Sequence, residues 1–241
     1  MAPAPKFSVA TQQEMILNAA VQSISETSVT DFTMASVARL AKLSMGSIYK
    51  FVQSKEDIVL ALAHQSFTHL SATFQKVLAL PLSAPEKLVA VCLISPAKTQ
   101  LFEFEHDLQS YATNEAVIRR ASPMWTNKMI EACGHCESIF KLTLANDIKA
   151  GELEQVPNLN EVIEEIVISG WAMTVGYEEV RRVKQTSEVI DGTDSLQEPL
   201  ALNDPMVRSM VRLLNTYPWR KPLTQQSLQL IEQQLISLDL R

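Results

Sequence analysis

Glycine is scarce in this chain, six among 241 residues, and no segment alternates apolar and polar residues in the two-residue period of a half-buried strand. That combination excludes a sheet-based fold. No apolar run approaches the ~20 residues that cross a bilayer, so no membrane span is expected. No apolar stretch follows Met1–Lys6, so no secretory leader is read and a cytoplasmic location is expected. Only three cysteines are present, too few for a disulfide framework, and free thiols are expected. No second ligand cluster accompanies them, so neither a metal nor a cofactor is anticipated. Positive charge is also lacking: 21 Lys and Arg stand against 27 Asp and Glu, a net charge of −6. Any surface for a polyanion must therefore be local. Residues 1–60 balance Lys6, Arg39, Lys42, Lys50 and Lys55 against Glu14, Glu26, Asp31, Glu56 and Asp57, and the rest of the chain carries the whole excess.

What is present is 46% hydrophobic residues arranged almost everywhere in helical period. The length exceeds that of a usual single domain, so a small N-terminal domain and a larger second one are expected. The most informative stretch runs from Thr33 to Asp57. Thr33 precedes Met34, Val37, Ala38 and Ala41, a helical spacing, and its hydroxyl is a good N-cap for the helix from Thr33 to about Leu40. Ser44 repeats the role ahead of a second helix reaching about Val52. Leu43, Ile48 and Val52 can face inward, which leaves Met45, Ser47, Tyr49 and Lys50 with little to bury against. Gly46 and Ser47 are small enough for the front of that helix to approach base edges, as in helix-turn-helix proteins. Amides at a helix start also suit a phosphate. From Thr33 to Lys55 the charges are Arg39, Lys42, Lys50 and Lys55, with no acid among them.

The run Ser44-x-Gly46-Ser47-Ile48-Tyr49-x-x-Val52-x-Ser54-Lys55-Glu56 resembles, without gaps, the signature of the DNA-binding domain of the TetR family of transcriptional repressors. Residues 11–60 resemble that domain, with Ile16, Leu17, Ala19, Ala20 and Ile24 on helix 1 and Thr11-x-x-Glu14 as a capping box for it. The resemblance implies that Thr33, Ser44, Tyr49 and Lys55 hold phosphates, while Met45, Gly46, Ser47 and Lys50 face bases. Phosphate contacts set register and base contacts set sequence preference. Four positions depart from the family pattern. Lys42 and Ser28 replace glycines, Val52 replaces a larger Phe, and Phe51 stands where a hydrogen-bonding side chain is common.

Beyond Ser54, helices are predicted from Lys55 to about Leu80, Pro85 to about Ile94, Lys98 to Tyr111, Asn114 to Arg120, Pro123 to Lys149 or Ala150, Asn160 to Lys184, Pro205 to about Tyr217 and Thr224 or Ser227 to Leu238. Gly151 is a C-cap, residues 1–8 form an arm, and Gln185–Asn203 form a loop. The fold class is thus all-α, with a three-helix helix-turn-helix domain at 1–54 and a helical effector-binding and dimerisation domain at 55–241.

The helices around 160–184 and 205–217 carry more apolar surface than one side of a surface helix needs. Ile163, Ile166, Val167, Gly170, Met206, Met210 and Leu213 are expected at a homodimer interface. The resemblance implies such a pairing as a four-helix bundle. Aromatic and methionine residues on the middle helices, with Phe104, Tyr111, Trp125, Met129, Cys133 and Trp171 as candidates, suggest a pocket for a small apolar or amphipathic effector. The same stripe also fits plain core. Cys133-Gly134-His135-Cys136 matches a thiol–disulfide tetrapeptide, yet sits inside a predicted helix without strand–helix–strand context. The leading expectation is a non-enzymatic, ligand-responsive repressor that binds a palindromic operator in double-stranded DNA as a homodimer. The alternative is an all-helical redox sensor or thiol enzyme using Cys133 and Cys136.

Overall fold

The computed structural model describes residues 7–154, 157–188 and 198–241, without side chains at 185–188. Among the described residues there are twelve helices: α1 (Val9–Glu26), α2 (Met34–Ala41), α3 (Met45–Ile48), α4 (Lys55–Leu78), α5 (Ala84–Cys92), α6 (Pro96–Thr99), α7 (Glu105–Ala112), α8 (Glu115–Ile118), α9 (Pro123–Lys149), α10 (Leu159–Glu188), α11 (Pro205–Leu214) and α12 (Gln225–Ser237). The only extended pairing among them is an isolated antiparallel bridge between Leu153 and Trp219. The fold is all-α, with a helix-turn-helix at the N-terminus and a larger helical remainder. No helix of the described residues is long and apolar enough to cross a membrane.

The chain forms two compact units. One comprises the segment up to His69 together with Gln100–Gly134, and the other comprises Leu70–Thr99 with His135–Arg241. Of the three boundaries, two fall inside helices, α4 and α9, and the third follows the end of α6. The first unit is built on the start of α4, where Ile58 to Ala63 are all fully buried. A helix buried on every side has no polar face to spare, and this one is the axis on which the short N-terminal helices pack. Ile16, Leu17, Ala20 and Ile24 of α1, Val37 and Ala41 of α2, Ile48 of α3, and Phe32 and Val52 from the connections supply the rest of that core.

The second unit packs α5, α10, α11 and α12 around Val89, Leu93, Ile163, Ile166, Val207, Met210, Leu214, Ile231 and Leu235. Trp219 closes one end, its indole N–H donating to the carbonyl of Leu214 at 2.8 Å. A half-buried ion pair, Lys87 Nζ to Asp147 Oδ2 at 2.8 Å, ties α5 to α9.

Several predicted boundaries shift, each for a local reason. Helix α1 starts at Val9 because the hydroxyl of Ser8, not that of Thr11, accepts the first-turn amide, from Thr11 N at 3.1 Å. Helix α3 ends at Ile48 rather than near Val52; the chain turns there so that Val52 can enter the core. The helix predicted from Lys98 to Tyr111 is broken after Thr99. Glu105 takes up the amides of Leu101 and Phe102, each at 3.2 Å, and so satisfies the backbone of the break just ahead of the next helix. Gly151 is left-handed at φ 92°, as its C-cap role requires. Most of the predicted arm at 1–8 and the centre of the loop at 185–203 lie outside the described residues.

Of the two glycine replacements, Lys42 is the strained one. It is left-handed at φ 55°, which costs roughly 1 kcal/mol relative to glycine. Ser28 keeps an ordinary backbone. Its hydroxyl instead accepts from the amides of Thr30 (3.2 Å) and Asp31 (3.0 Å) and makes the turn with its side chain.

Candidate nucleic-acid interface

Two serine and threonine caps set the reading segment. Thr33 Oγ1 accepts from Ser36 N at 3.1 Å while Ser36 Oγ accepts from Thr33 N at 3.2 Å, a reciprocal box that starts α2. Ser44 Oγ accepts from Ser47 N at 3.2 Å and starts α3. Each cap hydroxyl spends its acceptor side on the helix.

Ile48 is the inward anchor of α3 and is fully buried. With that side fixed, helical geometry turns the neighbouring residues out: Met45 is 37% exposed, Tyr49 is 51% exposed, and Ser44, Gly46 and Lys50 are exposed. Ser47 is half-buried. A Cβ built on Gly46 meets nothing nearer than Ser44 Oγ at 3.9 Å. Nothing within the chain therefore requires glycine at this position, and its absent side chain clears space only on the outside.

Lys55 points differently from the other cations of the segment. Its ammonium donates to the carbonyl of Thr30 and lies 4.7 Å from the centroid of the Phe32 ring. It holds the α1–α2 connection against the start of α4, so part of its capacity to donate is committed to the fold.

Residues 16–62, which contain this whole arrangement, match the family model for bacterial regulatory proteins of the tetR family. The match is confined to this N-terminal segment. Two solved structures have a similar fold. One is the transcriptional regulator FadR from Bacillus subtilis, in complex with stearoyl-CoA, at 18% identity and a TM-score of 0.51, covering 82% of this chain and 97% of that one. The other is the fatty acid degradation regulator FadR from Bacillus halodurans, at 15% identity and a TM-score of 0.53, with the same coverage. No curated protein matches by sequence.

The six effector candidates divide between the two units. Five lie in the first unit. Of these, Tyr111 alone borders its open cleft of about 320 Å³, beside Ser28, Val29, Thr30, Asp107, Ser110 and Asn114, a mostly polar lining. Phe104 stacks on Phe102 with ring centroids 5.3 Å apart. Trp125 and Met129 are buried in packing with the chain itself, and Cys133 is half-buried. Trp171 belongs to the second unit and stands 47% exposed on α10.

The interface candidates are already largely covered within the single chain. Ile163, Ile166, Val167, Met206 and Met210 are only 2–7% exposed within the single chain, because α10 and α11 turn that face onto each other and onto α5. A side chain already covered has almost no area left to give a partner. Gly170, near Met210, and Leu213 are half-buried in the same packing. The large apolar side chains of α10 that do face outward are Ile168, Trp171, Val175, Val180 and Val183.

Cys133 and Cys136 lie well inside α9, away from the helix start where a thiol becomes reactive, and neither forms a disulfide. Burial pushes the third thiol, Cys92, up to about 12. Among the described residues no three His, Cys, Asp or Glu side chains converge as a metal site would need.

Sequence reasoning missed two buried carboxylates of the first unit, Asp57 and Glu105. Glu105 receives Ser66 and Gln109 besides its two amides, and burial raises its pKa above the ordinary carboxylate range. Ser54-Lys-Glu-Asp57 carried a readable signal for the first: Asp57 N donates to Ser54 Oγ at 3.1 Å as at a helix cap, and Asp57 Oδ2 accepts from Gln53 N, the residue before that cap, at 2.7 Å.

Proposed function

We propose that the chain is a ligand-responsive transcriptional repressor, not an enzyme, that binds a palindromic operator as a homodimer. The observation that carries this reading is the outward face of α3, where Met45, Tyr49 and Lys50 are exposed around a glycine that the fold does not need. Met45, Gly46, Ser47 and Lys50 meet base edges. Thr33, Ser44 and Tyr49 hold phosphates through hydroxyl groups, and Lys55 adds charge from beside Thr30.

Residues 1–54 carry the reading part, and 55–241 carry dimerisation and effector binding. Two reading helices need a two-fold protein to meet half-sites about one helical turn apart. Ile168, Trp171 and Val175 on α10 are the surface proposed for that pairing. A small apolar or amphipathic effector prefers the DNA-released state, and the shift equals that difference in affinity.

Selection from a random duplex pool by the full chain tests the reading. An inverted repeat is expected to be enriched, with binding that weakens steeply as salt rises. Tyr49→Phe combined with Lys50→Ala is expected to lower the affinity, by removing a phosphate hydrogen bond, and to relax the preference for the selected sequence, by removing a base contact. Enrichment of no duplex, or an unchanged affinity and preference in the variant, overturns the assignment.

A further inference from the structure

We propose that Asp57 and Trp125 are positioning residues for DNA reading, which makes the first turn of α9 a working part of the DNA-binding head. The proposal rests on the DNA reading above. The residues concerned lie far apart in the chain but within one compact unit. Asp57 is fully buried, and its two carboxylate oxygens face different segments. Oδ2 accepts from Gln53 N at 2.7 Å, at the exit of the reading segment, and Oδ1 accepts from Ser122 N at 2.6 Å, at the entry to α9. One carboxylate thus joins the two.

A second hydrogen bond runs beside the first. The indole N–H of Trp125 donates to the carbonyl of Phe51 at 3.1 Å, and the ring is 3% exposed. Phe51 follows Tyr49 and Lys50 directly, in the turn after α3, where the amides of Phe51 and Val52 still donate to the carbonyl of Ile48 at 2.9 and 3.2 Å. The Phe51 carbonyl and the Gln53 amide are the points at which this turn is tied by hydrogen bonds to the entry of α9 and to the start of α4. These ties fix the turn that carries Tyr49 and Lys50 against the rest of the unit.

The two hydrogen bonds and the packing of the indole hold the joint, and removing one of them should be felt.

The test uses the full chain and Trp125→Phe, which keeps a ring but deletes the N–H, with Asp57→Asn as a second variant. Amide hydrogen exchange at Phe51, Val52 and Gln53 is expected to quicken about fivefold, the weight of one hydrogen bond, while α12 amides stay unchanged. The ratio of affinities for a selected duplex over a scrambled one is expected to fall by a similar factor. A merely structural role lowers the folded fraction for both duplexes alike and leaves that ratio intact.

Unchanged exchange in both variants overturns the clamp. Faster exchange with an intact ratio overturns the positioning role. A wild-type chain that selects no duplex overturns the DNA reading itself, and the positioning role with it.

Discussion

Replacing Gly46 by alanine should make the protein more stable and a worse DNA binder. Inside the chain the new methyl group meets only Ser44 Oγ at 3.9 Å, an ordinary contact, and the backbone there is helical. Glycine in a helix costs roughly 0.5–1 kcal/mol relative to alanine, mostly through the freedom of the unfolded chain. In a one-turn helix the lower end applies, about 0.5 kcal/mol, which raises the melting temperature of a chain this long by about 1–2 °C. On the outside the methyl group occupies the space proposed for a base edge or phosphate. Losing one well-made base contact costs about 1–3 kcal/mol, roughly fivefold to 150-fold in affinity. Thermal unfolding followed by circular dichroism gives the first quantity, and anisotropy titration of a selected, labelled duplex gives the second. The opposed signs are the test. A variant that melts higher and binds the duplex as tightly as wild type refutes the placement of Gly46 against DNA. A variant that melts several degrees lower refutes the claim that the fold leaves this position open.

Burial raises Glu105 above its ordinary value of 4.5, so the folded chain holds that proton more tightly than the unfolded chain does. The stabilisation is fully present below that value and is lost as pH rises through the higher folded one. Melting temperature measured across this interval should carry a falling component that Glu105→Gln flattens; an unaltered profile in the variant would rule it out. On α10, Trp171→Glu puts a charge into the outward stripe with Ile168 and Val175. Sedimentation should show a monomer, operator affinity should collapse, and stability should change by only about 0.5 kcal/mol, as for other surface substitutions. A dimer that persists would place the interface elsewhere.

The N-terminal reading was legible in the sequence because its determinants are local. Thr33 and Ser44 cap helices three residues ahead of the amides they bind, and Ile48 is inward while Met45 and Tyr49 are outward by helical period alone. The helical course of the rest was legible for the same reason, from Pro123 at the start of α9 to Gly151 after its end. The break before Glu105 was not, since it depends on a carboxylate turning back to two amides that apolar periodicity cannot register.

Composition and local pattern by themselves determined an all-helical chain with a helix-turn-helix near its start, because capping and periodicity act over a few residues. Only the tertiary structure decided which apolar faces stay inside. Ile163, Ile166 and Met210 read as surplus surface until α5, α10 and α11 are seen to cover them. Trp125 read as a pocket aromatic until its indole was found on Phe51. Such assignments depend on contacts between residues tens of positions apart, and burial is a property of what a side chain meets, which its neighbours in sequence do not specify.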